Sequence, residues 1–128
     1  MATRLAQYFH GAPADKLASI LASGEIRPNE HGEIFVARFE WQSCLAHGAD
    51  RNRKASFVAK LTIQVAEPDI LFTETPGARD TAVIRTDKPV PATITELYVR
   101  WLRGADEKAE LLHLRGQRAV SDYLTTMN

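Results

Sequence analysis

Side chains able to do chemistry stand at four places along the chain. The first is Tyr8-Phe9-His10-Gly11-Ala12-Pro13, a short apolar run ending in His-Gly. A neutral imidazole donates one hydrogen bond and accepts another. Glycine lets the backbone turn sharply and lets a ligand approach it. Such a pair could hold the hydroxyls of a ribose and the amide of a nicotinamide; by itself it also describes a turn with an exposed histidine. The second place is Glu33-Ile34-Phe35-Val36-Ala37-Arg38. There Phe35 is either a core ring or a ring that stacks on a planar cation. Arg38 and Arg51 are either solvated or meet phosphates. The third is a pair of carboxylates, Asp80 and Glu96. Either one could stabilise a developing oxocarbenium ion or take a proton from a nucleophile. Their plainer readings are a turn residue and a solvent-facing strand position. The fourth is Cys44 with His47, three positions apart. Two ligands do not make a metal site, and a nucleophilic Cys44 would need an adjacent base.

The elements that must carry these residues follow from periodicity. Residues 5–10 read as a strand. Residues 14–23 read as a helix, with Leu17, Ile20 and Leu21 on one face, Pro13 and Asp15 near its start and Gly24 as its stop. Glu33 to Ala37 reads as a strand opened by His31-Gly32. Glu40 to His47 reads as a second helix, with Trp41, Cys44 and Leu45 on one stripe and Gly48 as its stop. That stripe assigns Cys44 to the core. Arg51-Asn52-Arg53-Lys54 is a solvated loop or a contact to an acidic substrate. Phe57 to Val65 is the clearest strand, followed by an extended piece over Pro68 to Phe72 and a turn-rich loop containing Pro76-Gly77. Thr81 to Thr86 reads as a strand, and Pro89 and Pro91 bar regular structure around them. Ile94 to Trp101 reads as a strand with Ile94, Glu96, Tyr98 and Arg100 on one face. The tail from Ala105 reads as helix, broken near Gly116. Helices early and strands later indicate an α+β domain.

Bulk properties narrow the function. A chain of 128 residues, 45% hydrophobic, can bury one core, so a single domain over residues 1–128 is expected. Basic and acidic side chains balance at 16 each, which argues against non-specific nucleic-acid or polybasic membrane binding. No apolar run approaches a membrane span or a signal-peptide core. One cysteine cannot form an internal disulfide, so a reduced, cytoplasmic protein is expected. There is no phosphate-cradling glycine loop and no nucleophile elbow.

Taken in order, Tyr8-Phe9-His10-Gly11, the helix with Leu17, Ala18, Ile20 and Leu21, then Gly24-Glu25-Ile26 and the Phe35 strand form a pattern. It resembles the amino-terminal half of the ADP-ribosyltransferase-like fold. That fold is shared by poly(ADP-ribose) polymerases, DNA-targeting ADP-ribosyltransferase toxins and RNA 2′-phosphotransferases. Residues 82–86, the Pro89-Val90-Pro91 corner and residues 94–99 are similar to its later strands. The resemblance implies a split pair of small, mostly antiparallel sheets with flanking helices. It implies NAD as substrate and transfer of ADP-ribose to a macromolecular acceptor, nucleic acid or protein, with no metal and no membrane. His10, Gly11, Ala12, Phe35 and Arg38 would hold NAD, Phe35 standing where many members have a stacking tyrosine. Asp80 stands nearest the position of the family's catalytic glutamate, and Glu96 is the alternative. A phosphotransferase would instead draw on Arg38, Arg79 and Arg85. A module that binds NAD, ADP-ribose or a protein without catalysis is the third possibility.

Overall fold

The fold comes from a computed structural model that describes residues 3–66, 70–72, 80–101 and 110–126. Nine strands and two helices occur among them. They are β1 (Thr3–Gly11), α1 (Ala14–Ser23), β2 (Glu25–Ile26), β3 (Glu33–Ala37), β4 (Ala49–Asp50), β5 (Ala55–Ala66), β6 (Ile70–Phe72), β7 (Thr81–Arg85), β8 (Val90–Trp101), β9 (Leu111–Arg115) and α2 (Gln117–Thr126). The sheet runs β2-β8-β5-β1-β3-β7-β6, with β4 added to β5 and β9 to β8. Each of these pairs is antiparallel. The α+β class expected from the sequence is the class observed.

Both helices lie on one face of the sheet. Leu17 and Ile20 of α1 and Val120 and Leu124 of α2 join Phe57, Leu61, Ile63, Ile84, Ile94 and Leu97 in the main core. The periodicity that marks residues 14–23 as a helix is therefore the one that buries its apolar stripe. Gly24 stops α1 in the left-handed conformation (φ 71°), its N–H donating to the Ile20 carbonyl. The opposite face carries a smaller cluster of Phe9, Ala37, Cys44 and Val58, packed under Trp41, Leu45 and Tyr98.

Four sequence expectations are corrected. The stretch 40–47 is not an α-helix but a single 3₁₀ turn, Trp41–Cys44. The chain must return at once to the edge of β5, and Gly48 does this by donating to the Cys44 carbonyl and accepting from the Phe57 N–H. Pro91 does not bar structure: it sits within β8, opposite Glu25 of the two-residue edge strand β2. The missing N–H is harmless there, because Ala92 donates to the Gly24 carbonyl in its place. In the tail, Leu111–Arg115 is a strand paired to β8, and Gly116 (φ 94°) turns the chain into α2. Residues 105–109 lie outside the described residues, as does the Pro76-Gly77 loop. Last, Glu96 is not in phase with Ile94. Lys60 pairs with Glu96 while its neighbour Leu61 pairs with Ile94, so Thr95 is an extra residue that moves the strand by one position. Ile94 is buried in the core, while Glu96 shares the opposite face with Tyr98 and Lys60.

Candidate functional site

Strands β1 and β3 share one pair, Phe9 with Ala37. Past it the connection is made by a side chain. His10 Nδ1 lies 2.7 Å from the Phe35 carbonyl oxygen. A carbonyl only accepts, so Nδ1 carries the hydrogen, and Nε2 of the neutral ring is left as an acceptor. Burial holds the His10 pKa below the usual imidazole value; the Phe35 carbonyl pulls the other way, and the nearby His47 and Lys16 add to the lowering. The neutral form is thus the resting form at neutral pH.

Phe35 is central in β3, yet it is 40% exposed while Ile34 and Val36 on either side are buried. Strand alternation turns it away from the helix-covered core. Its ring stacks on His47, with centroids 5.5 Å apart and planes 9° from parallel. Phe35, Ser43, Cys44, His47, Thr81 and Val83 line a cavity of about 220 Å³. Of the residues read as NAD contacts, Phe35 lines this cavity, and His10 is joined to it through the Phe35 main-chain carbonyl.

Gly11 and Ala12 stand differently. A Cβ on Gly11 would collide with the Cys44 carbonyl, and would lie 2.8 Å from the Gly48 nitrogen. That space is filled by the turn after Cys44. Ala12 is buried in the main core, its N–H directed to the Phe57 carbonyl at 3.3 Å. Arg38 lies over the exposed Phe39 ring, 5.0 Å from its centroid, and its N–H donates to the Asp80 backbone carbonyl. Arg85 pairs in register with Glu33, and Ala37 with Thr81. Arg38 and Arg85 are therefore at opposite ends of the β3–β7 ladder and do not form one phosphate site. Arg79 lies outside the described residues. Arg51 is exposed, whereas Arg53 is tied to Asp50 at 3.0 Å and to Asp15 at 3.1 Å.

Asp80 immediately precedes β7 and holds the 3₁₀ turn. Its Oδ1 accepts from the Phe39 N–H at 2.6 Å; its Oδ2 accepts from the Glu40 N–H at 3.1 Å and the Ser43 hydroxyl at 2.7 Å. Burial pulls its pKa up, but the bonds from Ser43, Phe39 and Glu40 outweigh burial and leave the carboxyl below its usual range. Asp80 is ionised and sits next to two cavity-lining residues, Ser43 and Thr81.

Glu96 belongs to a separate cluster. His113 Nε2 meets it at 2.7 Å and the Lys60 ammonium at 3.3 Å. Burial raises its pKa, and the bonds from His113 and Lys60 more than reverse this. The Tyr98 ring is sandwiched between His113, at 4.1 Å, and Trp41, at 4.8 Å. The same 3₁₀ turn thus presents Trp41 to the Glu96 cluster and Ser43 and Cys44 to the cavity. The two carboxylates stand on different sides of that turn.

Sequence reasoning missed His47 as the partner of Phe35, Ser43 as a cavity residue, and the His113–Glu96 pair. No spacing signals any of them, because each contact joins residues brought together by the turn or by the β8–β9 register. The thiol of Cys44 points to the Phe9 carbonyl at 3.4 Å, and burial, reinforced by the Asp80 charge, pushes its pKa up to about 12. No group of three or more His, Cys, Asp or Glu side chains able to hold a metal occurs among the described residues. No helix among them is long and apolar enough to cross a membrane. Comparison with protein-family models, with curated proteins and with solved structures found no match.

Proposed function

We propose that this protein binds NAD where β1 and β3 part and transfers its ADP-ribose to a macromolecular acceptor. The observation that carries this reading is the His10–Phe35 junction. A neutral imidazole is bonded to the backbone carbonyl of Phe35, the residue whose half-exposed ring lines the cavity. The ring can stack on a cationic nicotinamide, and Nε2 can accept from a ribose hydroxyl. About 220 Å³ has room for the ring end of the dinucleotide and not for the whole. The resemblance implies a split pair of sheets, whereas the described strands form one continuous sheet that narrows to a single pair between β1 and β3.

Asp80 is the carboxylate beside this cavity. An ionised carboxylate of lowered pKa is a weak base, so its part would be to stabilise the ribose cation as nicotinamide leaves. One hydrogen bond on Oδ1 and two on Oδ2 use three of roughly four acceptor directions. That near-saturation favours a second reading, in which the site binds NAD or ADP-ribose without turnover.

Labelled NAD incubated with the protein and a cell lysate separates the readings. Transfer predicts labelled protein or nucleic acid and free nicotinamide, both lost in His10→Ala and Phe35→Ala. Binding by calorimetry with no label and no nicotinamide would establish the second reading. No binding at all would remove both.

A further inference from the structure

We propose that His47 is a built-in competitor for the ring slot on Phe35, displaced when the nicotinamide ring enters; this rests on the NAD reading above. The imidazole already covers one face of the Phe35 ring, a place that a stacked ligand ring would take. It lies parallel to Phe35 within 9°, and both rings line the same cavity. At 5.5 Å between centroids no third ring fits between them, because two successive contacts of about 3.5 Å each would be required.

The backbone next to His47 is pinned on both sides. Gly48 donates to the Cys44 carbonyl at 3.0 Å and accepts from the Phe57 N–H at 2.9 Å. The turn is seated so closely that a Cβ on Gly11 would strike the Cys44 carbonyl, and one on Gly48 the Phe57 carbonyl. Rotation of the His47 side chain opens the slot, and His47 is exposed, so solvent can receive it. Ring entry therefore exchanges one stacked pair for another. The exchange is felt by a ligand that carries the ring, and not by ADP-ribose, which lacks it.

Calorimetry with NAD and with ADP-ribose tests this on wild type, His47→Ala and His47→Phe. His47→Ala should bind NAD roughly two- to tenfold more tightly, the worth of one ring pair, with ADP-ribose affinity unchanged. His47→Phe keeps a competing ring and should not tighten. Unchanged or weaker NAD binding by His47→Ala overturns the proposal; a weaker value would make His47 a second wall of the slot. Equal tightening of ADP-ribose overturns it as well, since the effect would not arise at the ring. In each of these outcomes NAD binding itself stands. If wild type and both variants fail to bind NAD, the NAD reading falls and takes this inference with it.

Discussion

Removing the Asp80 carboxylate should loosen the turn that separates the cavity from the Glu96 cluster. Asp80→Ala deletes three hydrogen bonds at 2.6, 3.1 and 2.7 Å from Phe39, Glu40 and Ser43. Bonds to a charged acceptor contribute roughly 1.5–3 kcal/mol each in favourable cases. Asp80 is partly exposed, and the freed N–H groups of Phe39 and Glu40 lie on an exposed loop where water can replace their partner. The three losses also belong to one network and do not add. A total of about 2–4 kcal/mol is expected, which lowers Tm by roughly 10 °C in a domain of this size. Asp80→Asn keeps one acceptor and should lose about half as much. The assay is thermal unfolding followed by far-UV circular dichroism, near neutral pH and in acid. The folded-state pKa is depressed below the ordinary 3.8. The contribution is therefore fully present above that ordinary value and is lost as pH falls through the lower folded value. The gap between wild type and Asp80→Ala must narrow on acidification. A variant melting within about 2 °C of wild type near neutral pH would refute the reasoning, as would a gap insensitive to acid.

Three further outcomes are expected. Asp50 is 6% exposed and accepts from the Ala14 N–H at the start of α1 and from Arg53; Asp50→Ala should cost about 2–4 kcal/mol in urea unfolding, combining a lost cap with a broken, largely buried ion pair. Gly11→Ala forces a Cβ into the Cys44 carbonyl and should destabilise by about 1–3 kcal/mol, whereas Gly24→Ala meets no atom and suffers only from its positive φ. With its thiol pushed up to about 12 by burial, Cys44 should resist alkylation in the native protein and react fully in denaturant; rapid native labelling near neutral pH would contradict its placement.

The legible part of the fold is the part with strong periodicity. The helix over residues 14–23 and the strand over residues 33–37 occur with the bounds that their apolar patterns indicate. Phe57 to Val65 lies inside the longer β5 because both of its neighbours, β1 and β8, keep it paired beyond its apolar run. Residues 40–47 misled because Trp41, Cys44 and Leu45 do share a stripe. A 3₁₀ turn buries Cys44 as an α-helix would, and what rules out the helix is the return to β5. Leu111–Arg115 carries helix-compatible residues, and only the β8 edge makes it a strand.

At the candidate site, residue type marked His10 and Phe35 as able to meet a ligand or to serve a turn and a core, and only the family resemblance assigned them to NAD. Composition and spacing also determined the α+β class and the position of α1. Tertiary structure decided the rest. It directed Gly11 against a turn, gave the Asp80 carboxylate three donors, and moved Glu96 to the face opposite Ile94 through one extra residue. It also set His47 on Phe35. Each of these depends on register or on long-range contact. A strand's alternation reverses with a single inserted residue, and a turn's neighbours are set by where the sheet next receives the chain. Neither quantity is written in local sequence.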